Sequence, residues 1–231
     1  MTKETYKETL AQFVFKQIKE DIIYNKFKPG QKLCIADLKK KYEVGLSPLR
    51  EALTQLSSLN FLECESMKGF RVPTISLESV QDAYRARRHI EPFMASLAVK
   101  NATEDDESLL VAAHHQLKKI ENMTQKTEFT QWKEKHEKFV LSLMQASHSP
   151  TLISIQKNLY EQTERYRCLW FKWITENEYF KQMQIYSEYH QNLLDAFINR
   201  DDKNIQKIYK TKMTYWIKSL SEYLEKEINL D

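Results

Sequence analysis

Apolar residues in the first third of the chain fall at helical spacing in three runs. Leu10, Val14, Ile18 and Ile22 recur every four residues between about Glu8 and Tyr24, with Phe13 and Phe15 widening the stripe, which predicts an amphipathic helix. The Pro-Gly turn in KFKPGQKL separates it from a shorter helix with Ile35, Leu38 and Tyr42 inside and Lys39, Lys40 and Lys41 outside. Leu49, Leu53, Leu56 and Leu59 form the stripe of a third helix and leave Arg50 and Gln55 on its other face. Ser47 reads as the N-cap of this helix, Pro48 as its first residue and Gly45 as the turn before it. Two helices joined by so short a turn predict a helix-turn-helix, whose second helix can enter a major groove. FLECE and FRVPT then predict two short strands joined through Ser66, Met67, Lys68 and Gly69. Such a wing would offer Lys68 and Arg71 to a DNA backbone or minor groove; an ordinary surface hairpin is the competing reading.

Beyond Pro73 to Ser76 the two-residue period does not return. Helical periodicity places helices near residues 78–100, 103–123, 127–147, 150–174, 177–199 and 201–227, with Pro150 opening one and NRDD turning between the last two. The predicted fold is mainly α: a winged helix-turn-helix of three helices and a small β-wing over residues 1–75, then an all-α antiparallel bundle over residues 76–231. The aromatic run YRCLWFKWI reads as bundle core rather than as a base-stacking platform.

Composition narrows the function classes. Hydrophobic content of 42% and charged content of 29% are those of a globular protein. No apolar run approaches the roughly 18 to 20 residues that span a bilayer, and the start lacks a signal peptide's apolar centre, so a cytoplasmic protein without membrane contact is expected. Cys34, Cys64 and Cys168 are far apart and read as reduced thiols. The glycines are Gly30, Gly45 and Gly69, which excludes glycine-rich phosphate loops and the GxSxG elbow. Residues 1–75 carry 13 Lys and Arg against 9 Asp and Glu, so the basic excess lies with the helix-turn-helix, as phosphate contacts require.

Polar residues interrupt the apolar stripes of four later helices. Arg87 lies with Val80, Ala83, Ile90 and Met94; His136 with Trp132, Phe139, Val140 and Leu143. His190 lies with Tyr186, Leu193, Leu194 and Phe197; Lys212 with Ile205, Ile208, Tyr209 and Trp216. A buried cation needs a carboxylate, a bound anion or water, so the four together point to a shared polar pocket, or singly to satisfied core residues. His114, His115 and His148 show no such pattern and read as surface or packing residues.

The run KPGQKL, then ADLKKKYEVGLSPLREALTQLSSLNFL, then KGFRV resembles the winged-helix domain of the GntR family of bacterial transcription regulators. From RARRHIEPFMASLAV onward the chain is similar to the FCD effector domain of that family's FadR-type branch. The resemblance implies that Arg50 reads the operator and that Ser47, Pro48, Lys68 and Gly69 lie at the DNA face; Lys39 on the basic helix face and Arg71 on the wing are expected as further basic contacts from their charge and place in the sequence. Leu46 stands where some members carry a second base-reading arginine. Many FCD domains hold a divalent metal, and the positions that match its ligands carry His136, Val140, His190 and Lys212, so no metal or other cofactor is expected. Lys212 would replace the metal as the fixed charge and, with Arg87, His136, His190 and Arg165 or Tyr166, hold a small carboxylate effector. The expected protein is a homodimeric, effector-controlled regulator of double-stranded operator DNA, more often a repressor than an activator. The alternatives are a DNA-binding dimer whose helical domain is only a scaffold, and an enzyme using His136 and His190 as an acid/base pair. The enzyme lacks a nucleophile, oxyanion donors or a cofactor site.

Overall fold

The computed structural model describes residues 8–65 and 69–228, and the chain divides into two compact units, Met1–Ser76 and Leu77–Asp231. In the first, helices α1 (Leu10–Ile23), α2 (Ile35–Tyr42) and α3 (Leu46–Ser58) are joined by a sheet of β1 (Lys32–Leu33), β2 (Glu63–Glu65) and β3 (Gly69–Arg71) in the order β1-β3-β2, all antiparallel. The predicted wing is β2 and β3, paired Glu63 to Arg71 and Cys64 to Phe70. Strand β1, which pairs Leu33 with Phe70, was not expected, because two residues are too few to show alternation.

The stripes seen in the sequence form this unit's core. Val14, Ile18 and Ile22 of α1 meet Leu49, Leu53 and Leu56 of α3, all almost wholly buried, while Leu59 lies at the end of α3 and is only partly buried. Thr9 caps α1 by a reciprocal box with Gln12. Asp21 is buried at the junction with α2 and accepts from Lys26 Nζ at 2.8 Å and Tyr42 Oη at 2.7 Å, with Lys41 Nζ at 2.7 Å. Burial alone would raise its carboxyl, but these partners outweigh burial and hold it below the ordinary value.

The turn between α2 and α3 differs from the sequence reading. Its left-handed residue is Glu43, at φ 53°, while Gly45 is extended and serves as the N-cap of α3. The helix therefore starts at Leu46, the Ser47 side chain makes no capping bond, and Pro48 sits third in the first turn, where its missing N–H leaves no intrahelical bond unmade.

The second unit is a bundle of α4 (Leu77–Asn101), α5 (Glu104–Glu121), α6 (Phe129–Gln145), α7 (Pro150–Asn177), α8 (Tyr179–Ile198) and α9 (Asp202–Ile228). Helix α4 packs against α9, α7 and α6, while α8 bridges α5 and α9. Helix α7 runs three residues beyond the predicted end and is separated from α8 by Glu178 alone. Trp132, Trp170, Tyr84, Tyr160 and Tyr186 fill the interior, so YRCLWFKWI does supply core residues. Among the described residues no helix is long and apolar enough to cross a membrane.

Candidate functional site

The face that could meet DNA is built on α3 and the wing. Arg50, Ser47 and Lys39 are exposed and Pro48 is half-buried. Leu46 is 43% exposed, an apolar side chain on the first turn of α3. Gly69 opens β3 at φ +89°, and a Cβ there would meet nothing within 4 Å, so the backbone conformation rather than space calls for glycine. Arg71 donates from Nη1 to the Gly30 carbonyl at 2.5 Å, which ties the wing to the Pro-Gly turn. Lys68 lies outside the described residues.

A second site lies inside the helical bundle. Tyr84, Arg87 and Glu91 from α4, His136 and Val140 from α6, Arg167 from α7, Tyr189 from α8 and Lys212 and Trp216 from α9 line a cavity of about 30 Å³, room for little more than water. Most of its charges are already paired. Arg87 Nε meets Glu91 Oε1 at 2.7 Å and its Nη1 donates to Thr163 Oγ1 at 2.7 Å; Arg167 is ion-paired with Glu164. His136 Nδ1 faces Tyr160 Oη at 2.8 Å and Arg167 Nη1 at 3.4 Å. A guanidinium only donates, so Nδ1 accepts and the histidine's proton sits on Nε2. Burial, followed by the charge of Arg167, pushes His136 well below the ordinary histidine value and keeps it neutral.

His190 packs beside His136, ring centres 5.1 Å apart, and its Nδ1 lies 3.0 Å from Glu121, which also accepts from Trp132 Nε1 at 3.2 Å. The carboxylate fixes the proton on Nδ1, so Nε2 is an acceptor, and it has no hydrogen-bond partner among the described residues. Lys212 is a further buried group without a hydrogen-bond partner among the described residues, as are the hydroxyls of Tyr84 and Tyr186. Its Nζ, only 6% of the residue being exposed, has no hydrogen-bond partner and sits 3.5 Å from the Tyr186 ring centre and 4.2 Å from that of Tyr189. Burial holds its ammonium form well below the ordinary lysine value; Glu121 opposes that shift and Arg167 adds to it.

Lys212 and Tyr189 also line a groove of about 350 Å³ on the outside of the bundle between α8 and α9. They are thus the wall between the groove and the cavity.

Of the six residues expected around an effector, Arg87, His136 and Lys212 line the cavity and His190 lies against His136. Arg165 and Tyr166 do not line it. Arg167, two positions on, takes that place, because a two-residue step turns about 200° around a helix. Residues 163, 164, 165 and 167 of α7 are all buried, so its stripe does not single out one inward face. The sequence reading also missed the carboxylates. Glu91 four residues after Arg87, and Glu164 three before Arg167, stand at pairing distance on their own helices and were detectable. Glu121 meets His190 only through tertiary packing and left no local signal.

A metal does not fit these residues. Val140 has no donor atom, the proton on His136 occupies its Nε2, and among the described residues no group of three or more His, Cys, Asp or Glu is placed to hold a metal ion. His114 is buried against Phe139, and exposed His148 pairs with Asp106 at 2.8 Å, in keeping with packing and surface roles.

Residues 10–72 match the GntR family of bacterial regulatory proteins and residues 82–212 match the FCD domain. The HTH-type transcriptional repressor GlaR of Escherichia coli (strain K12) is 28% identical over 81% of this chain and 84% of its own length. The HTH-type transcriptional regulator BphR of Paraburkholderia xenovorans (strain LB400) is 30% identical over 70% of this chain and 67% of its own length. The solved structure of E. coli McbR/YncC covers 93% of this chain and 98% of its own at a TM-score of 0.77 and 22% identity, which shows the shared fold. With a DNA-binding domain at one end and an FCD domain over more than half its length, the chain belongs to the GntR family of transcription regulators, not to an enzyme family.

Proposed function

We propose that this regulator binds its operator as a homodimer and is controlled by a small organic acid bound at Lys212. Arg50 is the base-reading residue, its guanidinium suited to the O6/N7 edge of a guanine, and exposed Leu46 offers an apolar contact for a thymine methyl. Ser47, Pro48, Lys39, Gly69 and Lys68 position the helix and wing on the backbone, and Arg71 braces the wing from its base. Repression is the favoured sense, since GlaR and RspR of E. coli are named repressors.

The observation that carries the effector is the orphan amine. Arg87, Arg167 and His190 already hold carboxylates or hydroxyls, whereas Lys212 Nζ has no hydrogen-bond partner among the described residues, in an interior where such a group is costly. An acid arriving through the α8–α9 groove would supply its counter-ion. Arg87, gripped by Glu91 and Thr163, then orients the wall of the site rather than the ligand. The cavity's 30 Å³ favours a second reading, in which the bundle is a scaffold that takes no ligand. A thermal-shift screen of mono- and dicarboxylates separates the two. Stabilisation by an acid that Lys212→Met abolishes is the expected result; no response to any acid, or an undiminished response in Lys212→Met, favours the scaffold.

A further inference from the structure

We infer that Lys212 captures a 2-oxo acid covalently, as an imine on its ε-amine, so that the effector of the site just proposed is recognised by its carbonyl as well as by its carboxylate. The inference rests on that reading of the site and narrows it to one ligand chemistry.

Three features carry it. The amine is buried, without a hydrogen-bond partner among the described residues, and its residue lines both the inner cavity and the α8–α9 groove, the second of which has room for a ligand of metabolite size. Its surroundings are aromatic: the rings of Tyr186 and Tyr189 lie 3.5 and 4.2 Å from Nζ, and Trp216 lies at 5.9 Å. Such walls exclude the water that would hydrolyse an imine. The third is the neighbouring charge. Arg167 disfavours a second cation there, and Glu121, the nearby carboxylate, is engaged by His190 and Trp132. Burial and Arg167 both shift the lysine toward the free amine, which is the nucleophilic form.

The chemistry balances without any further reagent. The nitrogen lone pair adds to the carbonyl carbon and one N–H proton passes to the carbonyl oxygen, giving a carbinolamine. The hydroxyl then leaves with the remaining N–H proton as water, and a C=N bond forms. A 2-oxo acid suits the site better than a plain aldehyde, because its own carboxylate lies next to the new nitrogen and neutralises it when the imine is protonated. That is the counter-ion the protein withholds.

The test compares pyruvate with L-lactate, which share a carboxylate and differ in the carbonyl. Full-length protein is incubated with each, treated with borohydride, and examined by intact mass and peptide mapping. One reduced adduct per chain on the Lys212 peptide with pyruvate, none with lactate, and complete loss of it in Lys212→Arg is the expected result. An adduct spread over surface lysines, or no adduct at Lys212, overturns the inference. The wild-type peptide map decides this even where the variant folds poorly. Equal thermal stabilisation by lactate and pyruvate with nothing trapped would leave an acid-binding site standing and remove the imine. Trapping at Lys212 without any response to lactate would show the carbonyl to be required.

Discussion

At the scale of single residues, Lys212 is a group kept at a cost to the fold. A buried amine without a hydrogen-bond partner loses its hydration and regains little of it from the Tyr186 and Tyr189 rings. Lys212→Met, close in shape and apolar, should therefore stabilise the ligand-free protein by roughly 1–3 kcal/mol. The pH dependence has a definite sign. Below the ordinary lysine value of 10.5 the unfolded chain binds a proton at this position that the folded chain releases, so falling pH favours unfolding until the folded-state value is passed. The variant's advantage should shrink as pH rises toward 10.5, where the unfolded lysine also becomes neutral. Urea midpoints of both proteins at neutral and alkaline pH measure it. A constant difference would mean that Lys212 stays protonated in the folded state.

At the scale of elements, the helices were legible because their apolar stripes are long and regular, as in α1 and α3. The connections were less so, for a physical reason. Left-handed positions usually announce themselves as glycine, but this chain has three glycines and, besides Gly30 and Gly69, places Asn25, Glu43, Asn60, His148 and Arg200 at positive φ. The turn of the helix-turn-helix was therefore assigned to Gly45, when the strained residue is Glu43. The same effect hid the start of α3: Ser47 and Pro48 have the chemistry of a cap and a first residue, and the fold places them two positions further in. In the bundle, α7 buries several faces at once, so its polar residues could not be sorted into inward and outward from spacing alone, and Arg165 was chosen where Arg167 lines the cavity. Glu43→Gly tests the turn. A β-carbon in the left-handed region costs roughly 1–2 kcal/mol, and glycine's extra freedom in the unfolded chain gives back about 0.5–1 kcal/mol. The variant should gain about 0.5–1 kcal/mol in chemical unfolding of the DNA-binding unit. A loss would mean that the Glu43 side chain contributes more than its backbone costs.

At the scale of the whole molecule, the proposed regulation requires that acid and operator compete or cooperate through the protein, and linkage makes their coupling reciprocal. If an acid weakens operator binding by some factor, the operator weakens acid binding by the same factor. Substitutions in the two units should then dissect the switch. On the proposed role of Arg50 in base reading, Arg50→Ala should cost roughly 1–3 kcal/mol on an operator selected from random duplexes and much less on random DNA, whose binding rests on phosphate contacts. Because Arg50 and Lys212 stand in separate compact units, Arg50→Ala should keep the acid-induced thermal shift. Lys212→Met should lose both the thermal shift and the acid's effect on operator affinity. Fluorescence anisotropy of a labelled operator, titrated with and without the acid for each variant, reads all of these quantities in one format. Equal losses on operator and random DNA would remove Arg50 from base reading. Operator release by acid in Lys212→Met would move the effector away from the buried amine.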